Sequence, residues 1–212
     1  MAEHTRRFIP AAGLDWLLPL YDPMQRLFGT ERARLALVEQ AAIADGHRVL
    51  DLGCGTGSLS LAIARSRPGA KVTGLDPDAK ALARAERKAA REGLSVRFDR
   101  GFGDALPYPD ASFDRVVSSL MLHHLTSDEK RKTLAEVRRV LVPGGELHVL
   151  DFGGEHERAD GFIARWLHHA DHLRDNFGGR LAVLMKEAGF AQAAEVGHRA
   201  MLFGRLAYYR AA

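Results

Sequence analysis

A short apolar strand empties directly into a glycine-rich turn, Val49-Leu50-Asp51-Leu52-Gly53-Cys54-Gly55-Thr56-Gly57, and this constrains the chain more than any other feature. Glycines let a backbone turn tightly and let a ligand approach where a Cβ would otherwise stand. Alone, such a loop is no more than a tight strand-to-helix turn. Its surroundings give it weight. Short β-branched runs alternate with longer helical stretches, which predicts an α/β fold with a mainly parallel sheet. Strands are expected at residues 47–52, 71–76, 95–100, 113–119 and 145–152. Helices are expected at 58–66 and at 78–92, the second stopped by Gly93. Another opens at Thr126-Ser127-Asp128-Glu129, the spacing of a capping box, and runs to about Val142, where Pro143-Gly144-Gly145 cuts it. Right-handed crossovers put such helices on both faces of the sheet.

The flanks read differently. Residues 15–44 suggest two helices, the second apolar at Leu35, Val38, Ala41 and Ala42. Residues 158–189 suggest one or two more, broken around Gly178-Gly179, and 191–209 a hairpin at the sheet edge with its strands separated near 198–201. With 212 residues, no internal repeat and no linker, a single domain is expected. Cys54 is the only cysteine, which excludes an internal disulfide and a four-cysteine zinc site. A formal charge of +3 is too small to argue for nucleic acid. No apolar run suits a signal peptide or approaches the ~18 residues of a membrane span, so a soluble cytoplasmic protein is expected.

The loop discriminates between ligands. A dinucleotide site calls for G-x-G-x-x-G and a helix N-terminus holding a pyrophosphate. Here the loop is G-x-G-x-G, and Asp51 stands just ahead of it. A carboxylate there would repel a diphosphate and suit a ligand carrying an ammonium and a sulfonium, as S-adenosylmethionine (SAM) does. Asp76, in Gly74-Leu75-Asp76-Pro77-Asp78, closes the next strand where an acid can accept from both ribose hydroxyls. SAM and NAD share that diol. The alternative reading, a helix N-terminal acid, fits Asp78 better. Asp104, in Gly103-Asp104-Ala105-Leu106-Pro107, could accept from an adenine amino group.

Residues 51–57, 74–78, 103–109 with Ser112-Phe113-Asp114, Leu122-His123-His124-Leu125 and Leu141-Val142-Pro143-Gly144-Gly145 together resemble class I SAM-dependent methyltransferases. The nearest branch is the one containing the ubiquinone/menaquinone-biosynthesis C-methyltransferases. The resemblance covers residues 47–152; beyond it, Tyr21-Asp22-Pro23 and the C-terminal hairpin fit without identifying. It implies a Rossmann-like seven-stranded sheet of order 3-2-1-4-5-7-6, mostly parallel with one antiparallel insertion. Residues 8–45 would form an N-terminal helical lid, 47–152 the SAM-binding core, and 153–212 the acceptor-side helices and hairpin. By matching motifs, Asp51, Gly53, Cys54, Gly55, Thr56 and Gly57 would surround the methionine part of SAM. Asp76 would take the ribose with Pro77 against the adenine, Asp104 and Ala105 would read the adenine edge, and Ser119 would sit near the methionine end. Tyr21, with Trp16, would close over the cofactor or else pack in the core. The product would be S-adenosylhomocysteine.

The expected reaction is methyl transfer to carbon, oxygen or nitrogen of a small molecule. His123 and His124 are candidate general bases, against the plainer reading that they shape the loop. The basic stripe Lys80, Arg84, Arg87, Lys88 and Arg91 reads first as a solvated helix face; alternatives are a nucleic-acid or protein methyltransferase, which that stripe favours only weakly, and a SAM-binding protein without transferase activity. An NAD-dependent dehydrogenase is more distant. Ser118-Ser119-Leu120-Met121 stands where enzymes acting on exocyclic amines of bases carry Asn/Asp-Pro-Pro-Tyr/Phe, so nucleic acid is not expected. One cysteine is too few for arsenite methylation or covalent RNA cytosine chemistry. His168, His169, His172 and Asp171 lack the glutamate of a zinc hydrolase, and no metal is expected. Phe152, Phe162, Trp166 and Phe177 hint at an apolar wall over the acceptor. Cys54 reads as a packing residue whose place near a helix N-terminus could lower its pKa. A monomer or homodimer is expected.

Overall fold

The computed structural model describes residues 30–153, 175–201 and 204–212. The first expected lid helix, with Trp16 and Tyr21, and the 158–174 stretch, with Phe162, Trp166 and the three histidines, lie outside them. The described elements are α1 (Thr30–Gln40), β1 (Arg48–Leu52), α2 (Ser58–Ser66), β2 (Lys71–Asp76), α3 (Ala79–Glu92) and β3 (Arg97–Arg100). They continue with β4 (Phe113–Ser119), a 3-10 turn at Leu122–His124, α4 (Ser127–Val140), β5 (Leu141–Phe152), α5 (Arg180–Glu187), β6 (Ala193–Met201) and β7 (Gly204–Ala211). The sheet order is β3-β2-β1-β4-β5-β7-β6, as expected, with β7 antiparallel to both neighbours and the other pairs parallel.

Local chemistry sets the element ends. Asp78 caps α3 by accepting from the amides of Lys80 and Ala81, and Gly93 ends it at φ 65°. Thr126 and Glu129 form the reciprocal capping box of α4. That helix stops at Val140, and β5 starts at once, so Pro143-Gly144-Gly145 lies inside the strand and not before it. The sheet absorbs this as an irregularity: Phe113 faces Leu141, but Arg115 already faces Glu146. Proline has no N–H for the ladder, and Gly144 at φ 77° takes the turn out of it.

Two apolar layers cover the sheet. Val49, Val72, Val117 and Leu150 meet Leu37 of α1 and Leu59 and Ile63 of α2 on one face. Leu50, Val116 and Leu147 meet Leu134 and Val137 of α4 and Leu181 of α5 on the other. The buried stripe of α1 is Ala33, Leu37 and Val38, continued by Ala41 just past the helix end, whereas Leu35 is exposed and Ala42 turns away at φ 44°. The hairpin also departs from expectation. His198–Met201 belong to β6 and pair with β7, Met201 facing Gly204, so the strands separate later. β7 is interior to the sheet, and only β6 forms the edge. No helix among the described residues is long and apolar enough to cross a membrane.

His148, fully buried on β5, pins α1 to the sheet. Its Nδ1 accepts from Gln40 Nε2 at 3.1 Å, and its Nε2 donates to Glu146 at 3.0 Å. Burial pushes its pKa down to about 4. A histidine depressed in the fold contributes stability that is complete above its unfolded pKa and lost as pH falls through the folded one. His148→Gln removes this contribution. The stability gap between parent and variant should therefore shrink by about 3 kcal/mol between pH 7 and pH 4, measured by urea unfolding.

Candidate active site

The carboxyl ends of β1, β2 and β4 open into one cavity of about 480 Å³, where open parallel sheets place their ligands. Its floor is the glycine turn. Gly53 and Cys54 donate their amides to Leu75 O at 2.9 and 3.0 Å, and Gly55 donates to Asp76 Oδ2 at 2.8 Å. The other Asp76 oxygen accepts from Asp78 N–H at 2.9 Å, so one carboxylate ties the loop to the start of α3. Gly53 has φ 72°, and a Cβ there would come within 2.2 Å of Met121 Cγ, which packs on the loop from beyond β4. Lys88 reaches back from α3 to Thr56 O at 3.0 Å and Ser58 Oγ at 3.3 Å. It therefore clamps the loop and is not simply part of a solvated basic stripe.

Asp51, Gly53, Cys54, Gly55, Thr56, Asp76, Pro77 and Ser119 all line the cavity. Gly57 does not: it starts α2 at φ 76°, and a Cβ there would meet Ala85 at 2.8 Å. On the third-strand side the lining is Gly101, Phe102 and Gly103. Asp104 and Ala105 are not in it, and Ala105 is exposed, because a bridge between Phe102 and Ala105 turns the chain one step earlier than the motif suggests.

Three polar groups give the cavity its character. Asp51 is buried and accepts from Ser60 Oγ at 2.5 Å. Burial raises its pKa to about 6, with Ser60 and the positive charge of Arg34 pulling the other way. Burial also raises Asp76, against its two amide donors. Ser119 Oγ is buried with no hydrogen-bond partner, and the following residue, Leu120, takes φ 57°, a conformation a branched side chain adopts only under constraint. A polar ligand in the cavity would satisfy that hydroxyl. Cys54 corrects an expectation: burial, Asp51 and Asp76 all push its thiol up, so its place before α2 does not make it reactive.

The two histidines part company. His124 lines the cavity; His123 does not. His123 Nδ1 lies 2.6 Å from Asp151 Oδ1, its ring stands edge-on to Phe152 at 4.9 Å, and the His124 ring is 4.0 Å away. Asp151 is wholly buried at the end of β5 and also accepts the amides of His123 and Phe152 at 3.2 and 2.7 Å. The attraction of His123 and these bonds outweigh burial and hold its pKa below the usual carboxylate range. An ionised Asp151 fixes the proton on Nδ1 and leaves Nε2 as the basic nitrogen.

Known proteins resemble this chain in sequence and in fold. A methyltransferase-domain family matches residues 49–145. A demethylmenaquinone methyltransferase of Thermus thermophilus is 41% identical over 152 residues, which cover 70% of this chain and 68% of that protein. The chain belongs to the class I SAM-dependent methyltransferases. It falls in their quinone-methyltransferase-like branch. The solved structure of a SAM-dependent methyltransferase from Aquifex aeolicus shares the fold, with a TM-score of 0.65 at 20% identity over 90% of this chain and 97% of that one. The [4+2]-cyclase SpnF is similar too, 29% identical with a TM-score of 0.65, covering 78% of this chain and 59% of its own.

Several lining residues of this methyltransferase had no sequence signal. Arg34 arrives from a helix outside the motif span, and Met121 and Phe102 are ordinary apolar residues. Glu129 also lines the cavity, its carboxylate already accepting from Thr126 N and Oγ1 at 2.9 and 2.8 Å. Asp151 could have been found, since it ends a parallel strand as Asp51 and Asp76 do. Among the described residues no cluster of His, Cys, Asp and Glu gathers as metal ligands.

Asp51 also makes a stability prediction. A carboxyl group raised in the fold contributes stability that is complete below its unfolded pKa and lost as pH rises through about 6. Asp51→Asn should thus stabilise the ligand-free protein by about 3 kcal/mol at pH 7.5, with the gain vanishing near pH 3.8, by urea unfolding at both pH values.

Proposed function

We propose that this chain methylates a small molecule that loses a proton as it accepts the methyl group, with SAM as donor. The observation that carries the reading is the His123–Asp151 pair standing beside a cavity whose acids suit a sulfonium. Asp76 would hold the ribose hydroxyls, Pro77 and Phe102 would flank the adenine, and the backbone of Gly53–Gly55 with Asp51 and Ser119 would hold the amino-acid end. When bound, SAM supplies a methyl group already activated by the positive sulfur, so the protein's task is to position the acceptor and exclude water. Nε2 of His123, the ring nitrogen left free when Nδ1–H donates to Asp151, would take the acceptor's proton. Asp151 is a positioning residue: it sets the tautomer and balances the imidazolium that forms. His124, in the cavity wall, would separate donor from base. The similarity to the quinone methyltransferase supports an acceptor of enolic or phenolic character. A second reading, SAM binding without transfer, is supported by the similarity to a protein described as a [4+2]-cyclase.

The test is incubation with methyl-labelled SAM and a panel of phenolic, quinol and amine acceptors. Label should pass to the phenolic or quinol compounds. Tight S-adenosylhomocysteine binding with no labelled product from any acceptor would favour the second reading. His123→Ala should lower turnover by ~10²–10⁴ with S-adenosylhomocysteine affinity unchanged. Asp151→Asn, whose amide can donate to Nδ1 and move the proton to Nε2, should act in the same direction. Full activity in both variants contradicts the assigned base.

A further inference from the structure

We propose that Lys130 is a positioning residue for the proton acceptor: its buried positive charge lies within reach of Asp151 and weakens that carboxylate's hold on a second proton at the His123 imidazole, so that Nε2 stays available. The inference rests on His123 as the base and gives a task to a wholly buried cation that the transfer itself does not use. Lys130 Nζ lies 3.8 Å from Asp175 Oδ2, and both side chains are buried. Packing places the lysine. Leu134 and Val137 follow it on the same face of α4 and meet Leu147 and Val149 of β5 in one apolar layer. Asp151 continues that face of the strand, two residues on from Val149. The first turn of α4 therefore stands at the end of β5, where Lys130 interacts with the charges of both Asp175 and Asp151.

Burial pulls the pKa of Lys130 down, and the two carboxylates pull the other way. Asp175 does not take this charge for itself alone, because its carboxylate also accepts from Ser127 Oγ and, at 3.2 Å, from Arg180. Asn176 donates Nδ2 to Phe152 O at 3.0 Å, which keeps that segment against the end of β5. Among the described residues, the neighbouring elements bring these charged and titratable groups to the His123–Asp151 pair: His124 from the 3-10 turn, Lys130 from α4, and Asp175 with Arg180 from the chain entering α5. On the β7 side Arg205 reaches Gly153 O and is met by Glu195 of β6. An imidazole beside an ionised carboxylate gains a proton more readily, which would silence it as a base near neutral pH. A second cation near the same carboxylate works against that gain.

The test is a nitrogen NMR titration of the His123 ring in the intact chain with isotope-labelled histidine, run beside the pH profile of turnover. His123→Gln identifies the signal. In Lys130→Met and Lys130→Gln the midpoint of imidazole protonation should rise by about one pH unit, and the acid limb of turnover should move with it. Lys130→Arg, which keeps the charge, should stay near the parent. A lysine that only fastens the chain before α5 would lower stability in Lys130→Met and leave the midpoint where it is, and that result overturns the proposal. An equal rise in Lys130→Arg does the same, because charge is then not the cause. If the neutral variants do not fold, the parent's own Lys130 Nζ signal decides: a cation at pH 7 is expected, and a neutral amine there overturns the proposal. A midpoint that rises while the acid limb stays put places the base elsewhere, so the proposal falls with that reading although the charge coupling stands.

Discussion

One carboxylate organises the ligand end of the sheet. Asp76 receives the amide of Gly55 through one oxygen and that of Asp78 through the other, so the end of β2, the glycine turn after β1 and the start of α3 are fastened at a single part-buried point. Lys88 closes the same circuit from the far end of α3 by holding Thr56 and Ser58. The turn is thereby kept open towards the cavity with its left-handed glycines in place. Burial makes this arrangement expensive in its ionised form, as the raised pKa values of Asp51 and Asp76 show. A cationic ligand offsets that cost, whereas a diphosphate would add to it.

The fold divides two tasks between two parts of the sheet. β1 and β2, with Arg34 from α1, line one side of the cavity. The ends of β4 and β5 supply His123 and Asp151, joined by a 2.6 Å hydrogen bond between elements far apart in sequence. Behind them Lys130, wholly buried on α4, lies 3.8 Å from Asp175, whose carboxylate also accepts from Ser127 and Arg180. This fastens the segment entering α5 to the helix beside the histidines.

Much of the architecture is legible in the residues because local and global preferences agree. Strand positions, the capping box of Thr126 and Glu129, the Gly93 stop and the cavity residues from Asp51 to Thr56 follow from patterns within a few positions of each other. The departures have local causes. Leu35 reads as core by hydrophobicity alone, but the helix phase that buries Ala33, Leu37 and Val38 turns it outward. Pro143-Gly144-Gly145 has the composition of a break, yet the sheet takes it in as an irregular strand start. On the third-strand side the cavity lining is Phe102 and Gly103, next to a bridge between Phe102 and Ala105 that composition does not encode. The difference between His123 and His124 depends on Asp151, 27 or more positions away, and no reading of the dipeptide alone could have drawn it.

The central claim is that the cavity beyond β1 is built for a sulfonium-type adenosyl cofactor and against a dinucleotide. Its most direct measurement is a pair of calorimetric titrations of the intact chain, one with S-adenosylhomocysteine and one with NADH. Saturable heat with the first and none with the second is the expected result. Tight binding of NADH with no response to S-adenosylhomocysteine would contradict it.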